Sequence, residues 1–136
     1  MAEKTIDIAS PILSRNERLA DQLRQRFNET NTYVINVLSS PGSGKTTMIL
    51  GTNERLRDKA GLRCAVIEGD IASDVDAITM KEAGMPAIQI NTGGLCHLEG
   101  NMIMEAADAF DQAVGLENID VIFIENVGNL VCPVDF

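Results

Sequence analysis

The stretch Ser39-Ser40-Pro41-Gly42-Ser43-Gly44-Lys45-Thr46-Thr47 decides how the rest of this sequence folds. It follows an apolar run at residues 33–38 and precedes an amphipathic stretch at 45–60. A glycine-rich turn between a strand and a helix, closed by Gly-Lys-Thr, is the arrangement that cradles phosphate groups. Glycines let the backbone point several N–H groups inward, and the helix adds the positive end of its dipole. The stretch therefore predicts a phosphate-binding loop.

The residues of this loop have separate predicted roles. The P-loop pattern G-x-x-x-x-G-K-[ST] is matched except at its first position, where Ser39 replaces glycine. Lys45 is placed for the β- and γ-phosphates, the Thr46 hydroxyl for Mg²⁺, and Thr47 for the α-phosphate. The dinucleotide pattern G-x-G-x-x-G fails at Thr47, where its third glycine would stand. We predict that a Mg²⁺-nucleoside triphosphate is bound by Pro41, Gly42, Ser43, Gly44, Lys45, Thr46 and Thr47.

The remainder of the chain alternates short apolar runs with longer amphipathic stretches, which is typical of strands and helices around a parallel sheet. The predicted strands are 33–38, 63–67, 87–90 and 121–124, and the predicted helices are 12–27, 45–60, 74–83 and 98–114. We predict an α/β P-loop NTPase domain with helices on both faces of a parallel sheet. Residues 1–31 form an N-terminal helical extension, and 32–136 form the P-loop domain. That domain is expected to be incomplete at its C-terminus, since no helix or strand follows the fourth strand.

Composition narrows the classes of function. The 136 residues carry a formal net charge of −9, which argues against a nucleic-acid surface. No apolar run approaches the roughly 20 residues of a membrane span. The first residues lead into no apolar signal segment, so a cytoplasmic location is expected. Three cysteines without an export signal are expected to be thiols, metal ligands or core residues rather than a disulfide framework.

Acidic residues follow two of the predicted strands. Asp70 comes after the second strand, where it either reaches Mg²⁺ or serves as a turn residue. Glu125 ends the fourth apolar strand, where it either holds Mg²⁺ and polarises the attacking water or lies in a solvated loop. Gly128, three residues later, is placed to offer its amide to the γ-phosphate. Ligands of doubly wound sheets bind beyond these carboxyl ends of the strands.

Soft metal ligands also follow two strands. Cys96 and His97 come after the third strand and Cys132 after the fourth, and we expect parallel neighbouring strands to bring these two loops to the same edge of the sheet. Cysteine and histidine suit Zn²⁺ or Ni²⁺, with a fourth ligand from elsewhere. From spacing alone, a coincidental arrangement is an equal alternative. Cys64 lies within a predicted strand and is expected to be a buried small hydrophobe.

Four segments together resemble one family. They are the loop at 39–47, Val-Ile-Glu-Gly-Asp-Ile at 66–71, Gln-Ile-Asn-Thr-Gly-Gly-Leu-Cys-His-Leu at 89–98, and Ile-Glu-Asn-Val-Gly-Asn-Leu-Val-Cys-Pro at 124–133. This set resembles the hydrogenase nickel-incorporation GTPase HypB family. The Cys-His pair and the Asn-Leu-Val-Cys-Pro run distinguish it from the related urease accessory GTPase.

The resemblance implies a GTP-hydrolysing metallochaperone that delivers Ni²⁺ to a [NiFe]-hydrogenase precursor. It implies a homodimer with bound GTP, whose interface binds Ni²⁺ or Zn²⁺ through Cys96, His97 and Cys132. From the loop and the strand ends, the predicted catalytic residues are Lys45, Asp70 and Glu125, with Thr46, Asp70 and Glu125 around Mg²⁺. The implied partners are nickel-hydrogenase maturation proteins and the hydrogenase large-subunit precursor. An Asn-Lys-x-Asp segment that selects guanine is absent from the sequence, so GTP rather than ATP rests on the resemblance.

Two other functions fit parts of the pattern. An ATP-dependent small-molecule kinase would share the phosphate loop, but no Arg-rich lid segment follows the fourth strand. A passive metal-binding module with a vestigial nucleotide site would share the cysteines and histidine. Nucleotide-dependent metal affinity separates the chaperone from this second alternative.

Overall fold

A computed structural model describes residues 10–38, 44–69, 74–91 and 100–125. In these ranges four parallel strands form one sheet in the order β1-β4-β2-β3. Among the described helices none has the length and apolar character needed to cross a bilayer. The elements are α1 (Ser10–Glu29), β1 (Tyr33–Val37), α2 (Lys45–Ala60), β2 (Cys64–Glu68), α3 (Asp74–Glu82), β3 (Ala87–Gln89), α4 (Gly100–Ala113), a 3₁₀ turn (Leu116–Asn118) and β4 (Val121–Glu125).

The sheet has an apolar core on each face, because successive residues of a strand point to opposite sides. One core contains Ile67 and Ile124 together with residues of α1 and α4. The other contains Val66 and Phe123 together with Ile49 of α2 and Met80 of α3. Both β2 and β4 are buried along their whole length. This arrangement confirms the predicted α/β class with helices on both faces of a parallel sheet.

Helix α1 packs on the same core as the sheet. Leu23 and Phe27 are buried within the α1–α4 core, and the Arg26 guanidinium forms an ion pair with Asp108 of α4 at 2.6 Å. Such an exposed pair contributes little beside the apolar contacts. Helix α1 thus shares its core with the strands. The predicted division of the chain at residue 31 remains a prediction.

The strands β2 and β4 run further toward the carboxyl edge than the sequence indicated. Their expected ends were Ile67 and Ile124, whereas both end one residue later, at Glu68 and Glu125. The reason is continued backbone pairing: the amide of Gly69 donates to the carbonyl of Glu125 at 2.8 Å, and the amide of Ile90 donates to the carbonyl of Glu68 at 2.7 Å. Both glutamates are therefore strand residues with fixed positions.

Cys64 begins β2, at the end of the sheet opposite these glutamates. It is 4% exposed, which confirms the predicted buried position. Burial raises the pKa of its thiol, and the nearby charge of Asp120 raises it further. A protonated, enclosed thiol is a poor metal ligand, so Cys64 serves packing.

Gly51 is an unusual choice within α2, and replacing it should stabilise the protein. A Cβ at this position would meet nothing within 4 Å, and glycine inside a helix costs roughly 0.5–1 kcal/mol relative to alanine. We expect Gly51→Ala to raise the free energy of unfolding by about that amount, measured by urea denaturation.

The matched control is Gly61→Ala at the end of the same helix. A Cβ there also meets nothing within 4 Å, but Gly61 has a positive φ of 65°. Its alanine variant should lose stability, because an L-residue is strained in that conformation. A gain in both variants, or a loss in both, would contradict the backbone argument.

Candidate functional site

The site is built around the start of α2. Gly44 precedes the helix with φ 91° and ψ 22°, and no side chain caps the helix there. Glycine adopts that left-handed conformation without the strain that most side chains impose. The first N–H groups of an α-helix lack intrahelical acceptors and lie at the positive end of its dipole. This terminus therefore has the features of an anion-binding position.

The start of α2 lies at the carboxyl edge of the sheet, where Thr46 contacts the last residue of β4. Lys45 is buried, with 8% exposure. The hydroxyl of Thr46 donates a hydrogen bond of 3.2 Å to Oε1 of Glu125. A lysine seldom buries its ammonium group without compensating negative charge. The Thr46–Glu125 contact brings together two residues to which the sequence analysis assigned Mg²⁺, and that assignment stays a prediction.

A second carboxylate lies beside Glu125. Glu68 and Glu125 are register partners across the β2–β4 pair, and each is 3% exposed. Val66 and Phe123, two residues earlier in each strand, belong to the core under α2. Because side-chain direction repeats every second residue, both glutamates project toward the α2 face.

This donor set fits a hard divalent cation. It consists of a hydroxyl and carboxylates, the oxygen ligands that Mg²⁺ prefers. Two neighbouring anions in a buried position also favour a cation between them and the phosphates. The residues on the α2 face thus suit Mg²⁺ in chemistry and in charge.

Glu68 is the residue that sequence reasoning missed. The second strand was predicted to end at Ile67, which left Glu68 in a loop. Asp70, two residues later, was the residue predicted to reach Mg²⁺. The available signal was the similarity of Val66-Ile67-Glu68 to Phe123-Ile124-Glu125. Two apolar strands that each end in glutamate predict paired carboxylates once the strands are known to be neighbours.

Several predicted site residues lie outside the described residues. They are Pro41, Gly42, Ser43, Asp70, Cys96, His97, Gly128 and Cys132. Within the described ranges, no group of three or more His, Cys, Asp or Glu side chains is arranged to hold a metal ion. The predicted soft-metal ligands therefore stay predictions.

The expectation that the third and fourth strands are neighbours was wrong. The order β1-β4-β2-β3 places β2 between them. Strand β2 pairs with β4 along this side, with Glu68 opposite Glu125, so β3 cannot pair there. The segments carrying Cys96, His97 and Cys132 still leave the same carboxyl edge of the sheet, but one strand apart.

A groove of about 690 Å³ runs between α2 and α3. It begins at Thr47 and passes Gly51 and Arg57 toward Gly84. Neither Glu68 nor Glu125 lines it, and of the described phosphate-loop residues it includes Thr47 alone. The paired glutamates at the strand ends therefore lie outside this groove.

The sequence matches a known protein family and several individual proteins. Residues 33–136 match the profile of the family described as CobW/HypB/UreG, nucleotide-binding domain. The chain is 45% identical over 133 residues to hydrogenase maturation factor HypB of Escherichia coli strain K12, covering 98% of this chain and 44% of that protein. It is 44% identical over 133 residues to hydrogenase/urease maturation factor HypB of Helicobacter pylori strain J99, covering 98% of this chain and 53% of that protein.

Two solved structures share the fold. HypB from Helicobacter pylori in complex with nickel superposes with a TM-score of 0.77 at 43% identity, covering 88% of this chain and 54% of that one. The hydrogenase maturation factor HypB from Archaeoglobus fulgidus gives a TM-score of 0.77 at 36% identity, covering 90% of this chain and 57% of that one. The chain spans about half the length of the relatives it matches.

Proposed function

This chain belongs to the CobW/HypB/UreG nucleotide-binding family, and we propose that it is a GTP-binding and GTP-hydrolysing nickel metallochaperone for [NiFe]-hydrogenase maturation. The observation that carries the proposal is the Thr46–Glu125 hydrogen bond of 3.2 Å at the start of α2. It supports a nucleotide site in which a loop-closing threonine and a strand-ending carboxylate act together. The similarity to a nickel-bound HypB supports the metal half of the proposal.

The nucleotide half uses residues of the loop and of two strand ends. The backbone N–H groups before and within the first turn of α2 bind the phosphates, and Lys45 pairs with the β- and γ-phosphates. Thr46, Asp70 and Glu125 hold Mg²⁺, which neutralises phosphate charge when bound. Glu125 also orients the water that attacks the γ-phosphate, and Gly128 donates its amide to that group. The preference for GTP over ATP follows from membership of the family.

The metal half uses Cys96, His97 and Cys132 as ligands for Ni²⁺, the delivered ion, with Zn²⁺ as an alternative. Thiolate and imidazole ligands suit both ions. Three ligands leave the coordination incomplete, so a homodimer formed with GTP completes the site. The chaperone then acts in the cytoplasm on the hydrogenase large-subunit precursor, with other maturation proteins.

The sheet provides a route between the two halves. Glu125, Glu68 and Gln89 occupy one row across β4, β2 and β3. The chain leaves β3 shortly after Gln89 toward Cys96 and His97, and leaves β4 at Glu125 toward Cys132. A change around the γ-phosphate therefore acts at the start of both metal-binding segments. We propose that nucleotide state sets nickel affinity through this row, as a coupling between two sites.

Nickel titration tests the proposed function. Ni²⁺ added to the purified chain should produce thiolate-to-nickel absorption that changes when Mg²⁺-GTP is present. Cys132→Ser should weaken this absorption, because it removes one of the two proposed thiolate ligands. Ultraviolet–visible spectroscopy with and without nucleotide measures both effects.

Cys64→Ala is the matched control for the titration. Cys64 is buried at the opposite end of its strand from the carboxyl edge, so its loss should leave the nickel absorption unchanged. Absorption that is unchanged in Cys132→Ser contradicts the assignment of Cys132 as a ligand. Nickel affinity that is equal with GTP, with GDP and without nucleotide instead supports a passive metal-binding module.

A further inference from the structure

The geometry points to Glu68 as a further cation-binding residue of the nucleotide site, which binds the divalent ion together with Glu125. This inference rests on the proposed GTP site and adds a residue that the loop and strand motifs do not predict. It concerns the second of two carboxylates that share one row of the sheet. Three observations support it: register, facing direction and charge.

Register places the two carboxylates side by side. Glu68 and Glu125 are paired residues of neighbouring parallel strands, and such strands lie about 4.8 Å apart. The backbone at both glutamates is hydrogen-bonded into the sheet. The amide of Gly69 donates to the carbonyl of Glu125, and the amide of Ile90 donates to the carbonyl of Glu68. The separation of the two Cα atoms is therefore set by the sheet and not by loop conformation.

Facing direction places both carboxylates under the start of α2. In β2, Cys64 and Val66 contact the α2 core, and Glu68 continues that alternation. In β4, Val121 and Phe123 do the same before Glu125. The hydrogen bond from Thr46 to Glu125 confirms the direction for β4. Glu68 is consequently on the strand next to Glu125, the side chain that contacts α2.

Charge explains why a divalent ion suits this pair. Two buried carboxylates at neighbouring positions repel one another, and burial increases the cost of each charge. Lys45, buried at the same end of the sheet, brings one positive charge. In the proposed nucleotide complex that charge is directed to the phosphates. A divalent cation matches the two carboxylates and leaves Lys45 to the nucleotide.

Mn²⁺ binding tests the role of Glu68 directly. Mn²⁺ takes the same oxygen ligands as Mg²⁺, and electron paramagnetic resonance counts the free ion in the presence of a non-hydrolysable GTP analogue. We expect Glu68→Gln to weaken Mn²⁺ binding at least about tenfold, since a charged ligand becomes a neutral amide of nearly equal size. Glu68→Asp, which keeps the charge at shorter reach, should recover part of the loss.

Metal-free nucleotide binding separates this role from a structural one. In the presence of EDTA, Glu68→Gln should bind the GTP analogue as tightly as the wild type or more tightly, because a negative charge near the phosphates is removed. Damage to the fold would weaken binding with and without metal, and that result would overturn the proposal. Glu54→Gln, which removes an exposed carboxylate from α2, is the charge-matched control and should behave as wild type.

The remaining outcomes are also decisive. A folded Glu68→Gln protein with wild-type Mn²⁺ affinity overturns the assignment of Glu68. If Glu125→Gln alone loses Mn²⁺ affinity in the same series, the proposed nucleotide site stands without Glu68. Wild-type protein that binds no Mn²⁺ with the GTP analogue overturns both the role of Glu68 and the proposed nucleotide site.

Discussion

Lys45→Ala is expected to abolish GTP binding, with a loss of affinity of at least roughly 100-fold, or about 3 kcal/mol. Lys45 is the first residue of α2 and is 8% exposed, so its ammonium group is held at the helix start and not in solvent. Charge-assisted bonds from such a group to phosphate are among the strong hydrogen bonds in proteins. Isothermal titration calorimetry with Mg²⁺-GTP measures the loss.

The helix itself should survive this change. Alanine is the best helix former, so circular dichroism is expected to match the wild type. Lys59→Ala, which removes an exposed lysine from the last turn of the same helix, is the matched control and should bind GTP normally. Unchanged GTP affinity in folded Lys45→Ala would refute the assignment of the phosphate site. In the nickel titration, Lys45→Ala should also abolish the effect of GTP on metal binding.

Glu125→Gln is expected to reduce the rate of GTP hydrolysis by roughly 100-fold or more, while GTP binding persists. The proposed site uses this carboxylate to hold Mg²⁺ and orient water, and removal of one such electrostatic contact commonly costs 10²–10³ in rate. The phosphates retain Lys45 and the backbone N–H groups of the loop. Single-turnover hydrolysis at saturating Mg²⁺ measures the effect. Glu82→Gln on α3, exposed in the structure, should hydrolyse GTP at the wild-type rate.

A double-mutant cycle makes this prediction sharper. Because Thr46 and Glu125 are joined by a hydrogen bond of 3.2 Å, they should act as one unit. Thr46→Val should also slow hydrolysis, and the Thr46→Val/Glu125→Gln double variant should be little worse than the slower single variant. Fully additive losses would show that the two side chains act independently and would contradict the shared-cation interpretation.

Local patterns in the sequence determined most of the secondary structure. Helix α2 was predicted at its observed limits, residues 45–60, because Gly61 ends it in a left-handed conformation with φ 65° that glycine adopts without strain. The uninterrupted apolar run before Glu125 predicted a buried strand, and β4 is buried throughout. Both predictions succeed because the deciding forces act between residues close in the chain.

The tertiary structure decided which of these elements are neighbours. Nothing local to β3 or β4 indicates that β2 separates them, and the expectation that these two strands are neighbours was wrong for that reason. Strand order depends on hydrogen bonds and packing between segments far apart in sequence. The same long-range pairing extended β2 by one residue and placed Glu68 in register with Glu125. The sequence by itself predicted a phosphate loop and singled out Glu125, whereas the pairing of two carboxylates depended on the sheet, because register is a property of two strands together.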